Sequence, residues 1–208
     1  MLGTKIIEEV HSPINGKIEV VKSLGFGTYI KVEGLTQSGG VVYDVWKSTL
    51  KEVKKEKPEI TKSLILGLGG GSAAKLVKKY WLKAKIIGVD IDPVMIRLGK
   101  KYLGLQDIEI REEDADKFIR KELAGGIKYD LILIDMYIGD KVPQKFQADK
   151  FTKAIHRLLS EDGLAIFNRL YYGEKRPEAV KFGNRLESLF SNVDYVYPEA
   201  NLMLVCTK

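Results

Sequence analysis

One stretch constrains this chain more than any other: residues 64–92, LILGLGGGSAAKLVKKYWLKAKIIGVDID. It opens on three consecutive apolar residues, Leu64, Ile65 and Leu66, the pattern of a strand buried on both faces. Glycines follow at Gly67, Gly69, Gly70 and Gly71, and then Ala73, Leu76, Val77 and Tyr80 recur at helical spacing. A second apolar run, Ile86-Ile87-Gly88-Val89, ends on Asp90. The unit reads as strand, glycine turn, helix and strand, with an acid at the tip of its second strand. Such a turn lets the main chain approach a ligand, and such an acid accepts hydrogen bonds from both hydroxyls of a ribose. The expected chemistry is nucleotide or nucleoside binding. Dinucleotide turns prefer G-x-G-x-x-G, whose last glycine is Ser72 here. The looser G-x-G-x-G used for S-adenosylmethionine fits Gly67, Gly69 and Gly71. A glycine-rich turn in some other α/β domain is the competing structural reading.

Composition narrows the class. The net charge is +6, but lysines alternate with acids, as in KEVKKEKPEITK at residues 51–62. That pattern suits solvated helix faces better than a nucleic-acid patch, so a nucleic-acid partner is not expected. No apolar run is long enough to span a bilayer. The first residues, MLGTKIIEEVHSP, carry acids where a signal peptide has its apolar region, so a soluble, cytoplasmic protein is expected. Cys206 is the only cysteine, which excludes a disulfide within the chain. His11 and His156 stand apart from any ligand cluster, so no metal is expected, and no Ser/His/Asp arrangement supports hydrolysis.

Residues 1–43 read as a small β-segment with strands near 5–10, 17–22 and 28–32. This is too little chain to stand alone and must pack on the rest or on a second copy. From residue 44 to residue 208 helices and strands alternate. A helix holding Trp46, Leu50 and Val53 stops at Pro58, and Asp92 with Pro93 forms a helix start. Further strands are expected at 108–110, 129–135 and 163–168, with helices between them. The closing strands at 193–196 and 202–206 lie too close for a parallel crossover and should pair antiparallel at the sheet edge. The fold class is α/β, a doubly wound sheet. Ligands in such sheets sit beyond the C-terminal strand ends, where Asp90, Asp114 and Asp135 all fall.

With these residues in view, the chain resembles the spermidine synthase family, a branch of the Rossmann-like class I S-adenosylmethionine-dependent methyltransferase fold. Ser12-Pro13-Ile14-Asn15, the run from Val32 to Gln37, and Tyr43 are similar to the family's small N-terminal β-domain. Val89-Asp90-Ile91-Asp92 resembles its nucleoside-binding V-E-I-D, Asp114-Ala115 its adenine contact, and Asp135 the first acid of its D-x-x-D-P motif. The departures fall on the amine chemistry. The acid of the family's G-G-G-D-G-G turn corresponds to Gly70, and the second Asp of D-x-x-D to Ile138, with Asp140 two residues on.

The resemblance implies S-adenosylmethionine or its decarboxylated form as the bound nucleoside. Gly67, Gly69, Gly71, Asp90, Ile91, Asp114 and Ala115 would hold it. Asp135 is the candidate base or amine anchor, with a structural acid as the alternative. Gln37, Tyr43, Tyr137 and Asp140 are candidates for the wall of the acceptor pocket. A small-molecule acceptor and a homodimer are expected. The expected reaction is methyl transfer, because Gly70 would no longer repel the carboxylate of intact S-adenosylmethionine. Aminopropyl transfer is the alternative, and a catalytically silent nucleoside-binding or assembly module is a third reading.

Overall fold

The computed structural model describes residues 3–208. Two sheets organise it. The first is a four-stranded antiparallel meander of β1 (Thr4–Ser12), β2 (Gly16–Ser23), β3 (Gly27–Val32) and β4 (Leu35–Gly39). The sequence pattern predicts three strands there. The fourth escapes pattern reading because Leu35-Thr36-Gln37-Ser38-Gly39 has one apolar residue, and its pairing with β3 holds it instead. Ile18, Val20, Ile30 and Val32 form the sheet's buried face. They pack on Met95 and Leu98 of α3 (Pro93–Leu98), so the requirement for cover is met on that face by the same chain.

The second sheet has seven strands in the order β10-β11-β9-β8-β5-β6-β7. Its parallel part comprises β5 (Lys62–Leu66), β6 (Lys85–Asp90), β7 (Glu109–Glu112), β8 (Tyr129–Ile134) and β9 (Leu159–Leu170). The closing hairpin of β10 (Asn192–Val196) and β11 (Asn201–Thr207) folds back so that β11 lies between β9 and β10, antiparallel to both. Helices cover both faces. α1 (Gly40–Glu56) and α2 (Ser72–Tyr80) pack one side through Trp46, Leu50, Leu76 and Val77. α4 (Ala115–Ala124), α5 (Asp149–Leu158) and α6 (Lys175–Leu186) pack the other through Phe118, Ile155, Phe182 and their neighbours. α1 starts at Gly40, four residues before the expected 44, because the glycine pair Gly39-Gly40 makes the turn out of β4 at positive φ. After α3 the chain continues into a π-helical turn, Gly99–Leu103, where Gly99 lies against Gly70.

The strand order reverses at β5, with β6 on one side and β8 on the other. Gly67 follows β5 at φ 80°, and a Cβ there would lie 2.1 Å from the carbonyl oxygen of Asp135. Only glycine lets the tips of β5 and β8 approach so closely. Among the described residues, no helix is long and apolar enough to cross a membrane.

Candidate functional site

A cavity of about 610 Å³ opens beyond the C-terminal ends of β5, β6 and β8, where β4 and the start of α1 form its far wall. Its size suits a nucleoside with an attached side chain. Five carboxylates border it, Asp90, Glu113, Asp114, Asp135 and Glu199, and the three aspartates each sit in a different electrostatic setting.

Asp90 closes the glycine turn. One carboxylate oxygen accepts from Gly69 N–H at 2.6 Å and the other from Asp92 N–H at 2.9 Å. Burial still pushes its pKa above the usual range, although these backbone donors oppose the rise. Each oxygen keeps a second lone pair that can face a ribose hydroxyl. Ile91, next along the chain, is 46% exposed and lies on the cavity wall. An isoleucine left that open is a flat apolar surface available to a base.

Asp92 serves a different end. It is fully buried and caps α3 by accepting from Val94 N–H at 2.8 Å and from Met95 N–H at 3.4 Å. Its other oxygen accepts from Ser12 Oγ at 2.5 Å and Asn15 Nδ2 at 2.7 Å. The Ser12-Pro13-Ile14-Asn15 turn thus ties the small sheet to the tip of β6 and the start of α3. A second tie joins β4 to the glycine turn. Gly70 N–H donates to Ser38 Oγ at 2.9 Å, and Gly39 N–H donates to Ser72 Oγ at 2.7 Å.

Asp114 caps α4 through Asp116 N–H and Lys117 N–H, at 3.0 and 3.2 Å, and pairs with Lys145 through its other oxygen. Burial alone would raise its pKa, but Lys145 and the capping amides hold it below the ordinary value. Lys145 and the buried Ala115 also line the cavity.

Asp135 lies at the other end of the cavity. It accepts from Trp46 Nε1 at 2.9 Å and from Asn168 Nδ2 at 2.8 Å. Asn201 Nδ2 in turn donates to Asn168 Oδ1 at 2.7 Å. The chain Trp46–Asp135–Asn168–Asn201 therefore links α1, β8, β9 and β11. No cation lies within ion-pair distance of Asp135 among the described residues. Burial drives its pKa upward, and the two neutral donors offset only part of that rise.

The remaining candidates separate. Gln37 lines the cavity and donates to the Gly139 carbonyl at 2.8 Å, pinning the loop that follows β8. Tyr137 lines it too, and its hydroxyl accepts from Leu170 N–H at 2.8 Å. Tyr43 does not reach the cavity. It packs beside the core around Trp46, because the helical turn that aims Val42, Val45 and Trp46 inward carries it aside. Asp140 is likewise off the cavity, held by Lys175 at 3.0 Å, which lowers its pKa. Trp46, Asn168, Asn201 and Glu199 do not stand out as site residues in the sequence, yet all four line the cavity. The one available signal is Asn168, a polar residue at the end of an apolar strand.

Gly70 needs correction. A side chain there would not enter the cavity, since a Cβ would meet Leu103, Ser38 and Ile30 at 3.0 Å or less. The absence of an acid at Gly70 therefore carries no inference about the donor's carboxylate.

Fold and site together define a class I methyltransferase-like protein with a cavity at its strand ends and an acid, Asp135, on the cavity wall. Residues 45–199 match the spermine/spermidine synthase domain, and the chain belongs to that family. It is 31% identical over 115 residues to a polyamine aminopropyltransferase of Vibrio vulnificus, covering 54% of this chain and 38% of that protein. It is 33% identical over 131 residues to the polyamine aminopropyltransferase of Pyrobaculum aerophilum, covering 56% of this chain and 45% of the relative. The chain thus spans about half the length of these relatives or less. Spermidine synthase from Thermotoga maritima superposes with a TM-score of 0.80 at 22% identity, over 98% of this chain and 73% of that one, which shows the shared fold. The names of these relatives overturn the expectation of methyl transfer, whose physical basis at Gly70 the geometry had already removed.

Proposed function

We propose that the chain moves an aminopropyl group from decarboxylated S-adenosylmethionine to a small amine. The observation that carries this reading is Asp135, a carboxylate on the cavity wall whose partners are all neutral donors. Its charge is left for an incoming amine. The family membership and the names of the relatives support the same reaction. Gly67, Gly69, Gly71, Asp90, Ile91, Asp114 and Ala115 would hold the donor.

The reaction is a single displacement. The amine lone pair forms a bond to the aminopropyl carbon next to the sulfonium. The carbon–sulfur bond breaks, its electrons pass to sulfur, and methylthioadenosine leaves. The amine sheds one proton, and Asp135 would take it. A raised pKa brings a carboxylate closer to the working pH and improves it as a base. The protein's other task is alignment, which the cavity walls and the pinned loop at Gly139 provide.

The test is to incubate the protein with decarboxylated S-adenosylmethionine and 1,4-diaminobutane and to follow methylthioadenosine by mass spectrometry. Release should require the amine, and intact S-adenosylmethionine should not replace the donor. Asp135→Asn should lower the rate at least about a hundredfold. Tight donor binding without amine-dependent release would reject transfer and leave a nucleoside-binding module. We also propose a homodimer through the small sheet, where Ile6, Leu24 and Phe26 are exposed.

A further inference from the structure

A second cavity, of about 250 Å³, lies behind Tyr137. The loop after β8 contributes Tyr137 and Asp140, the end of β9 contributes Arg169 and Leu170, and α6 contributes Lys175 and Glu178. Tyr137 and Leu170 line the larger cavity as well, so the two share a wall.

Arg169 sets the character of this space. It is only 7% exposed. One terminal nitrogen donates to Gln147 Oε1 at 2.9 Å, and the guanidinium lies over the Phe182 ring at 4.5 Å. No carboxylate among the described residues comes within 4.0 Å of it. Burial of this kind lowers the arginine's pKa. A guanidinium carries five N–H donors in a fork that fits a carboxylate or phosphate, and a buried one ordinarily meets such a partner. Its remaining nitrogens are not sealed in, because Ser63 Oγ is the one buried side-chain polar atom without a partner among the described residues. Arg169 itself lines the cavity. The nearby charges offset its charge only in part: Glu178 is close enough to favour the charged guanidinium but makes no ion pair with it. Asp140 is occupied by Lys175 at 3.0 Å, and Glu178 sits exposed at the rim. Lys141 adds a further cation to the lining.

We propose that this cavity binds a small oxyanion, a carboxylate or a phosphate group, against the fork of Arg169. The site is distinct from the nucleoside end and from Asp135, and it does not depend on the reaction proposed above. Its occupant would press on Tyr137 and Leu170, and so on the wall of the larger cavity.

The experiment titrates the protein separately with inorganic phosphate and with succinate, at ionic strength held constant with chloride, and reads melting temperature and heat of binding. At least one anion should raise the melting temperature saturably, by roughly 5–10 °C at a hundred times its Kd. Which of the two saturates identifies the ligand class. Arg169→Met should abolish the response, and Arg169→Lys, which keeps the charge but loses the fork, should weaken binding at least about tenfold. A wild-type protein that responds to neither anion overturns the proposal, and so does an equal response in wild type and Arg169→Met. If Arg169→Met fails to fold, the wild-type and Arg169→Lys titrations decide: equal affinity in those two overturns the proposal.

Discussion

Replacing Trp46 by Phe removes one of the two donors to Asp135 and keeps an aromatic ring in the core. The indole N–H lies 2.9 Å from Asp135 Oδ2, and the ring is fully buried. A hydrogen bond to a charged acceptor contributes about 1.5–3 kcal/mol. At about 1.4 kcal/mol per pH unit, its loss should raise the Asp135 pKa by roughly one to two pH units. The sign follows from the donor's preference for the ionised carboxylate. Burial has already moved this pKa upward, and removing the indole moves it further. A base must be ionised, so the acid limb of kcat/KM should shift to higher pH by the same amount. Stability provides a second readout. With the folded-state pKa raised, ionised Asp135 destabilises the fold above that pKa, and the cost disappears as pH falls below the ordinary carboxylate range. The stability gap between wild type and Trp46→Phe should therefore narrow on acidification. The assays are a pH–rate profile with decarboxylated donor and amine, and a carbon NMR titration of Asp135 that needs no turnover. An acid limb and an NMR midpoint that both stay in place would refute the control of Asp135 by the Trp46 indole.

Asp90→Ala should weaken methylthioadenosine binding at least about tenfold, since two charge-assisted bonds to ribose are lost; calorimetric titration of both proteins checks this, and equal affinity would remove Asp90 from the donor site. Gly70→Asp should leave donor preference unchanged and lower the urea midpoint instead, because the new carboxylate would be forced among Leu103, Ser38 and Ile30 at a cost of several kcal/mol. Asp92→Ala should cost about 1–3 kcal/mol by uncapping α3 and leaving Ser12 and Asn15 without their acceptor; chemical denaturation measures it. Light scattering at micromolar concentration should give twice the 23.4 kDa chain mass, and a monomer would exclude the dimer.

What can be read from sequence is local. The glycine turn, Asp90 at a strand tip, and Asp92 before Pro93 are arrangements within a few residues, and neighbouring backbone dictates their geometry. Side-chain direction is less accessible. Gly70 aligns with an acidic position of the family, yet its missing Cβ aims at Leu103 and Ile30 rather than at the cavity. Trp46 reads as one more apolar residue on a helix, and nothing in its spacing says that its N–H reaches Asp135, 89 positions away. Asn168 and Asn201 meet only because β11 enters the sheet beside β9. Arg169 lies one residue beyond the expected fifth strand, which in the structure continues to Leu170.

The insertion of β11 between β9 and β10 also makes one end of the cavity depend on the last strand of the chain. Trp46, Asp135 and Asn168 are synthesised and can fold into place before Asn201 exists as part of the chain. Without β11 beside β9, Asn168 would lack the amide that fixes its carbonyl, and one of the two donors to Asp135 would be free to turn. The Asp135 end of the cavity thus depends on a strand one place from the edge of the sheet. Fraying of the hairpin from the β10 edge would loosen that end, whereas the glycine turn and Asp90, on β5 and β6 at the far side of β8, would keep their contacts.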